Sequence, residues 1–324
     1  MKIFLAPMEG VVDFTLRELL TGIGGIDVCV SEFVRVSGSL LPASVFHRLV
    51  PELQQGGRTL SGTPVLLQLL GSEPGLMAEN AVRAVELGAP GIDLNFGCPA
   101  KTVNKSRGGA VLLNEPEVIY QIVSAVRSAV PAEVPVSAKM RLGYLDKSLA
   151  IENACAIESA GAGTLTVHAR TKTEGYRPPA HWEWIARIRE AVGIKVIANG
   201  EVWTIDDYRR CQEVSQCADV MIGRGLVASP FLARQIHASF SADMPLVLPE
   251  QTWPELLPLL TDFHSRVTRD LSIRHVHGRL KQWVQMLTRY YPQAKDLFQL
   301  IRTETCPEQL LNLLQREQAR MKAA

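Results

Sequence analysis

The sequence predicts a closed parallel (β/α)8 barrel, a TIM barrel, followed by a small C-terminal helical bundle. Three observations carry this. Eight short apolar runs alternate with longer helical patterns over the first 240 residues. The runs are nearly continuous in apolar residues, as expected for strands covered on both faces. After Phe240 the strand pattern stops and only helical periodicity remains. Eight alternations over that span favour a barrel over an open sheet. The absence of G-x-G-x-x-G after the first run weakens a dinucleotide-binding alternative.

The first run, KIFLAPM from Lys2, reads as an opening strand. VCVSEF from Val28, VLLQLLG from Val65, GIDLNFGCP from Gly91 and VPVSAKMRLG from Val134 follow. LTVHAR from Leu165, KVIANG from Lys195 and ADVMIGRG from Ala218 complete the eight. In the helical stretch after the third run, Ala78, Ala81, Val82, Val85 and Leu87 recur at helical spacing, and Gly88 can cap its C-terminus. EPEVIYQIVSAVRSAV and LAIENACAIESAG have the same period. The segment from Arg35 to Thr63 is the exception. With Pro42, Pro51 and two adjacent glycines, it has room for one short helix around Ser44–Leu49. SADMPLVLPEQTWPE reads as a linker. Beyond it, Leu256, Leu260, Phe263 and Val267 form one helical stripe, and Leu280, Val284 and Leu287 another. The barrel is expected over residues 1–242 and the bundle over 243–324.

Composition is that of a soluble globular chain, 47% hydrophobic and 21% charged, and no apolar run reaches the length of a membrane span. The start, MKIFLAPMEG, is too short in apolar residues for a signal peptide. The six cysteines include no C-x-x-C pair, so neither a metal site nor a redox dithiol is expected. They read as free thiols in a reducing cytoplasm. The net charge of +1 argues neither for nor against a nucleic-acid partner. The expected state is a monomer.

In such barrels reactive groups collect at the C-terminal strand ends. Here those ends carry Met8 and Glu9, Glu32, Gln68, Asn95 and Cys98, Lys139 and Arg141, His168 and Arg170, Asn199 and Glu201, and Arg224. Eight polar tips in one topological place point to one site. Asn199-Gly200-Glu201 and Gly223-Arg224-Gly225 end the last two strands, where backbone N–H groups often bind a phosphate. Lys139 ends an apolar strand. It reads as a Schiff-base lysine, a cation for an anionic cofactor ring, or half of a structural ion pair. His168 fits a cofactor ligand and a satisfied core histidine equally. Gln68 offers donor and acceptor together, which suits an amide-rich ring.

Taken together, LAPMEGVVD, the glutamine of VLLQLLG, LNFGCPAK with its following GGA, the lysine of VSAKMRLG, VHART, VIANGEV and MIGRG resemble one family, the tRNA-dihydrouridine synthases. Glu9 and the stretch SEFVRV resemble the branch that modifies position 16 of the D-loop. The resemblance implies that FMN contacts Pro7, Met8, Glu9, Gln68, Lys139 and His168, with its phosphate against Asn199, Gly200, Glu201, Gly223 and Arg224. It implies Cys98 as general acid and Asn95 and Tyr176 as holders of the target uracil, with NADPH as the reductant.

A thiol suits that chemistry. Hydride added to C6 of uracil leaves an enolate-like anion whose C5 needs a proton. A free cysteine, with a pKa of about 8.5, is protonated near neutrality yet acidic enough to give the proton up. The bland alternative, an inert buried thiol, fits Cys29 and Cys155 better, since both lie within apolar elements.

An RNA partner requires local positive charge. From Phe263 to Arg302 the chain carries eight Lys or Arg against Asp270 and Asp296, a net +6, with His275 and His277 among them. Lys101, Lys105 and Arg107 follow Cys98 with no acid. With the resemblance, these read as a tRNA-binding surface that includes Lys101, Arg274, His275 and Arg279, while Arg35 selects the uridine. Three rivals remain at this stage. They are an FMN barrel acting on a free pyrimidine or other small molecule, a Schiff-base aldolase using Lys139, and a non-catalytic RNA-binding protein.

Overall fold

In a computed structural model, residues 1–240, 249–270 and 273–323 are described. The strands are β1 (Ile3–Leu5), β2 (Val28–Val30), β3 (Val34–Arg35), β4 (Val65–Leu70), β5 (Ile92–Phe96), β6 (Val136–Arg141), β7 (Thr164–His168), β8 (Lys195–Asn199) and β9 (Val220–Ile222). All pair in parallel, and the ring closes because β1 pairs with both β9 and β2 while β2 pairs with β4. The expected barrel is therefore present.

One strand differs from expectation. VCVSEF is not continuous: β2 and β3 are two pieces of the second barrel strand, and both pair with β4. Ser31 causes the break. Its N–H donates to Leu66 O, but its hydroxyl, rather than a backbone oxygen, accepts the Gln68 N–H at 3.1 Å. The ladder resumes where Val34 pairs with Leu69.

Side chains alternate along each strand. One set packs outward on the helices and forms most of the core. The inward set splits in two. Phe4, Ala6, Val28, Val30, Ile197 and Met221 form their own apolar cluster. Apart from Leu66 and Ile197, which join that cluster, the inward positions of β4 to β8 carry Gln68, Asp93, Asn95, Ser137, Lys139, Thr166, His168 and Asn199, in register across the ladder.

The helices around the barrel start where the sequence supplies caps. Asp13 accepts the Leu16 N–H at 2.9 Å to begin Phe14–Ile23, and Thr204 with Asp207 forms a capping box before Ile205–Ser215. The proline-bearing segment after β3 holds the helix Ala43–Leu49 and a 3₁₀ turn, Pro51–Gln55. It is pinned by Arg17, which is fully buried and grips Glu52 with two hydrogen bonds of 2.7 and 2.9 Å.

The C-terminal segment forms helices Trp253–Asp270, Ile273–Leu287, Pro292–Ile301 and Pro307–Ala323. Both apolar stripes read from the sequence are buried, and Phe263 meets Trp283 edge to face at 4.9 Å. Their core is continuous with that of the barrel. The expected boundary at 242/243 lies in 241–248, outside the described residues. Among the described residues, no helix is long and apolar enough to cross a membrane.

Candidate active site

A cavity of about 580 Å³ opens at the C-terminal ends of the strands. Its wall includes Pro7, Met8, Glu9, Gln68, Asn95, Cys98, Lys139, His168, Tyr176, Asn199, Gly200, Glu201, Gly223 and Arg224, so these sequence-selected residues are brought together. The remaining five are not in that wall. Arg35 lines a smaller adjoining cavity of about 300 Å³ with Arg48, Glu32 and Thr102, and donates to Ser106 Oγ at 2.8 Å. Lys101 is exposed at the start of the short helix Lys101–Lys105. The side chains of Arg274 and His275 lie outside the described residues.

Arg279 is occupied within the chain. It donates to Gly10 O at 2.7 Å, Val11 O at 2.9 Å and Asp13 Oδ2 at 2.6 Å, and also binds Gln282. Only 14% of its side chain is exposed. It clamps the C-terminal helices to the loop after β1.

Cys98 sits on a turn held from several sides. Asn95 Oδ1 accepts the N–H groups of Gly97 at 3.0 Å and Cys98 at 2.9 Å. The Cys98 carbonyl accepts from Asn104 Nδ2 and the Ala110 N–H, and Arg141 Nε donates to Gly97 O at 2.8 Å. Gly109 has φ +66°, and a Cβ there would stand 2.8 Å from Cys98 O, so the GGA stretch needs glycine at this position. Burial pushes the half-buried thiol up, and nearby Glu9 adds to this against the Ala100 N–H. No activating histidine or carboxylate hydrogen-bonds the sulfur among the described residues. The group is a protonated thiol near neutral pH.

Behind the turn, Ser137, Asp93, Gln68 and Asn95 form one hydrogen-bonded chain. Lys139 Nζ donates to Asn199 Oδ1 at 3.0 Å, and Asn199 Nδ2 donates to Met221 O at 2.8 Å. Burial and the neighbouring Arg141 lower Lys139 to about 8, with Asp93 opposing. Lys139 thus has a neutral partner and a charge held close to its titration point. Burial among cations also holds His168 well below its ordinary value, so it is neutral, and its Nδ1 is buried without a hydrogen-bond partner among the described residues.

The phosphate-type corner differs in detail from expectation. Gly223 precedes a five-residue helix, Arg224–Ala228, rather than a plain turn. Burial raises Glu201, but hydrogen bonds from Arg170 and Trp203 outweigh it and keep the carboxylate ionised. Glu201 adopts the left-handed conformation, φ +59°.

Sequence reasoning did not select several further wall residues, among them Phe33, Trp203 and Met286, and it named Arg141 only as a polar strand tip. Arg141, Tyr176, Arg224, Trp203 and Arg289 form a stacked column. Arg141 and Arg224 lie over Tyr176 at 5.3 and 4.7 Å, and Arg224 and Arg289 over Trp203 at 4.9 and 3.9 Å. Met286 and Arg289 belong to the C-terminal segment, so that segment helps build the mouth. Met286 lies off the stripe of Leu280, Val284 and Leu287, and an apolar residue off the stripe is the signal that marks it.

The family model for dihydrouridine synthase (Dus) matches residues 4–319. The tRNA-dihydrouridine(16) synthase of Aquipseudomonas alcaligenes is 58% identical over 314 residues, 97% of this chain and 99% of that protein. The tRNA-dihydrouridine(16) synthase of Pseudomonas putida is 57% identical over 306 residues, 94% of this chain and 93% of that protein. Among solved structures, the old yellow enzyme homologue of Zymomonas mobilis matches with a TM-score of 0.52 at 13% identity. That match covers 76% of this chain and 90% of the homologue, and it supports the barrel fold alone.

Proposed function

The chain belongs to the dihydrouridine synthase family, and we propose that it reduces a D-loop uridine of tRNA, at position 16, to 5,6-dihydrouridine. The observation that carries this reading is Cys98, a protonated thiol at the wall of a cavity large enough for a nucleobase beside a planar cofactor. The names of the relatives support position 16.

The donor set fits FMN. Lys139 supplies a cation, Gln68 supplies an amide, and His168 Nδ1 is an unused buried polar atom. A Cβ at Gly223 would press on Met8 Sδ at 3.2 Å, so glycine leaves open a backbone edge suited to a phosphate. Pro7, Met8, Glu9, Gln68, Lys139 and His168 would hold the ring. Asn199, Gly200, Glu201, Gly223 and Arg224 would hold the phosphate. When bound, FMN recharged by NADPH supplies the hydride for C6 of the uracil.

The chain's own residues do the rest. Cys98 holds the proton destined for C5, and its raised pKa keeps that proton in place until negative charge develops on the base. Asn95 and Tyr176 hold the uracil. Extruding the base from tRNA costs a few kcal/mol, which contacts to the RNA backbone must offset. Lys101, Arg274, His275 and the exposed Arg289 are assigned to that work, and Arg35, beside the mouth, to selecting the uridine. Arg279 acts indirectly, through the clamp on the loop after β1. On this reading residues 1–242 form the catalytic barrel and 243–324 the tRNA-binding segment of a cytoplasmic monomer.

Replacing Cys98 with Ala should leave FMN and tRNA binding intact and lower uridine reduction by about 10²–10⁴-fold, the usual contribution of a positioned general acid. Full activity in that variant would remove the acid role. Flavin-loaded protein that oxidises NADPH with free uridine but not with tRNA would favour a small-molecule reductase instead.

A further inference from the structure

We propose that Asp93 is a positioning residue whose carboxylate fixes which way Gln68 and Asn95 point their amides, and through them the turn that carries Cys98. The argument is one of hydrogen-bond polarity. The oxygen and nitrogen of a side-chain amide are nearly the same size, so packing alone does not choose between its two orientations. Burial pushes the Asp93 carboxyl up, and the hydrogen bonds from Gln68 and Ser137 and the charge of Lys139 oppose that; as a carboxylate it only accepts, and it removes that freedom.

The chain can be followed bond by bond. Asp93 Oδ1 accepts from Ser137 Oγ at 2.6 Å, and Oδ2 accepts from Gln68 Nε2 at 2.7 Å. With its nitrogen committed, Gln68 turns Oε1 toward Asn95 and accepts from Nδ2 at 2.7 Å. Asn95 must then direct Oδ1 at the N–H groups of Gly97 and Cys98. Donor meets acceptor at every link. All the side chains involved are buried, with Asp93 1% and Gln68 0% exposed.

The placement follows from strand register. Gln68 pairs with Asp93, and Asp93 with Ser137. Asp93 and Asn95, two apart on β5, share the inward face. Asp93 does not line the cavity, so it acts only through the amides that do.

The proposal concerns the group that the proposed reduction uses as its acid, but its test needs neither RNA nor reductant and so can fail separately from that reading. The test is site-resolved alkylation of the purified protein by iodoacetamide across a pH series. Exposed Cys306 serves as internal standard, and buried Cys29, Cys211 and Cys217 report loss of fold. In Asp93→Leu, the Cys98 turn loosens and backbone N–H groups freed from Asn95 can reach the thiolate. Both changes speed alkylation, by about fivefold, the factor that one net hydrogen bond carries. The pH profile of Cys98 should move down, while Cys306 stays unchanged. Asp93→Asn puts back an amide that can face Gln68 with either end, and it should move Cys98 part of the way toward Asp93→Leu. If Asp93→Leu does not fold, Gln68→Met breaks the same chain one link on and should give the same shift at Cys98. An unchanged rate and pH profile at Cys98 in a folded Asp93→Leu or Gln68→Met protein overturns the proposal, as does an Asp93→Asn protein that behaves like wild type.

Discussion

On one side of the barrel interior, Phe4, Ala6, Val28, Val30, Ile197 and Met221 close on one another as an apolar plug. On the other side, Ser137, Asp93, Gln68 and Asn95 form one hydrogen-bonded chain, and Lys139 and Asn199 form another. Both sides are buried, and both arise from the same alternation along parallel strands. They differ in what a substitution should cost. Apolar contacts are non-directional and act mainly on stability. Buried polar groups are costly unless each is paired, so that side is fixed in direction and coupled to the site.

The largest effect expected in stability lies on the apolar side. Phe4→Ala should lower unfolding free energy by about 3–5 kcal/mol, the usual cost of emptying a buried aromatic site. Cys98 alkylation in the folded fraction should be unchanged. A denaturant titration beside the alkylation assay checks both, and a changed Cys98 would break the distinction between the two sides.

On the polar side, Lys139→Met should cost about 10²-fold in turnover, the scale of losing one preorganised electrostatic contact. The melting temperature should change little, because Lys139 loses only a neutral partner, Asn199. A large fall in melting temperature with normal turnover would reassign Lys139 to structure.

The pH profile sharpens the same point. Burial favours the neutral form of Lys139, so its charge is present below about 8 and lost above it. Cys98, shifted up by burial, keeps its proton over that range. Turnover should therefore fall as pH rises through about 8, and Lys139→Arg should move that limb upward. A limb unmoved in Lys139→Arg would assign it to another group.

The smallest expected effect is at the mouth. Arg289→Gln should reduce the salt slope of tRNA binding by about one unit, as for loss of a single phosphate contact, with NADPH oxidation unaffected. An unchanged slope would leave Arg289 a partner of Trp203 and Tyr290 within the chain.

These contrasts mark what could be read ahead. Gln68, Asn95, Cys98, Lys139, His168 and Asn199 are legible because a polar side chain at the end of an apolar run is conspicuous, and barrel topology gathers such ends. Asp93 was not singled out. It sits inside its strand, and only register shows that Gln68 and Ser137 flank it. Trp203 was missed because an aromatic residue in a loop carries no local sign that it faces a cavity, while Met286, off its helical stripe, carried a sign that was not used. The net +6 of the C-terminal stretch was legible as composition, but its distribution was not. Arg266, Arg269 and Arg279 pair with Asp262, Asp270 and Asp13.

The sequence by itself determined the alternation of strands and helices, the closed ring and the set of polar strand tips. Those follow from periodicity and from backbone hydrogen bonds, which are local or nearly so. Tertiary structure alone decided the polarity of the amide chain, the break at Ser31, and the clamp that Arg279 makes. Each depends on partners tens to hundreds of residues away, and a hydrogen bond or ion pair exists only once both partners are in place.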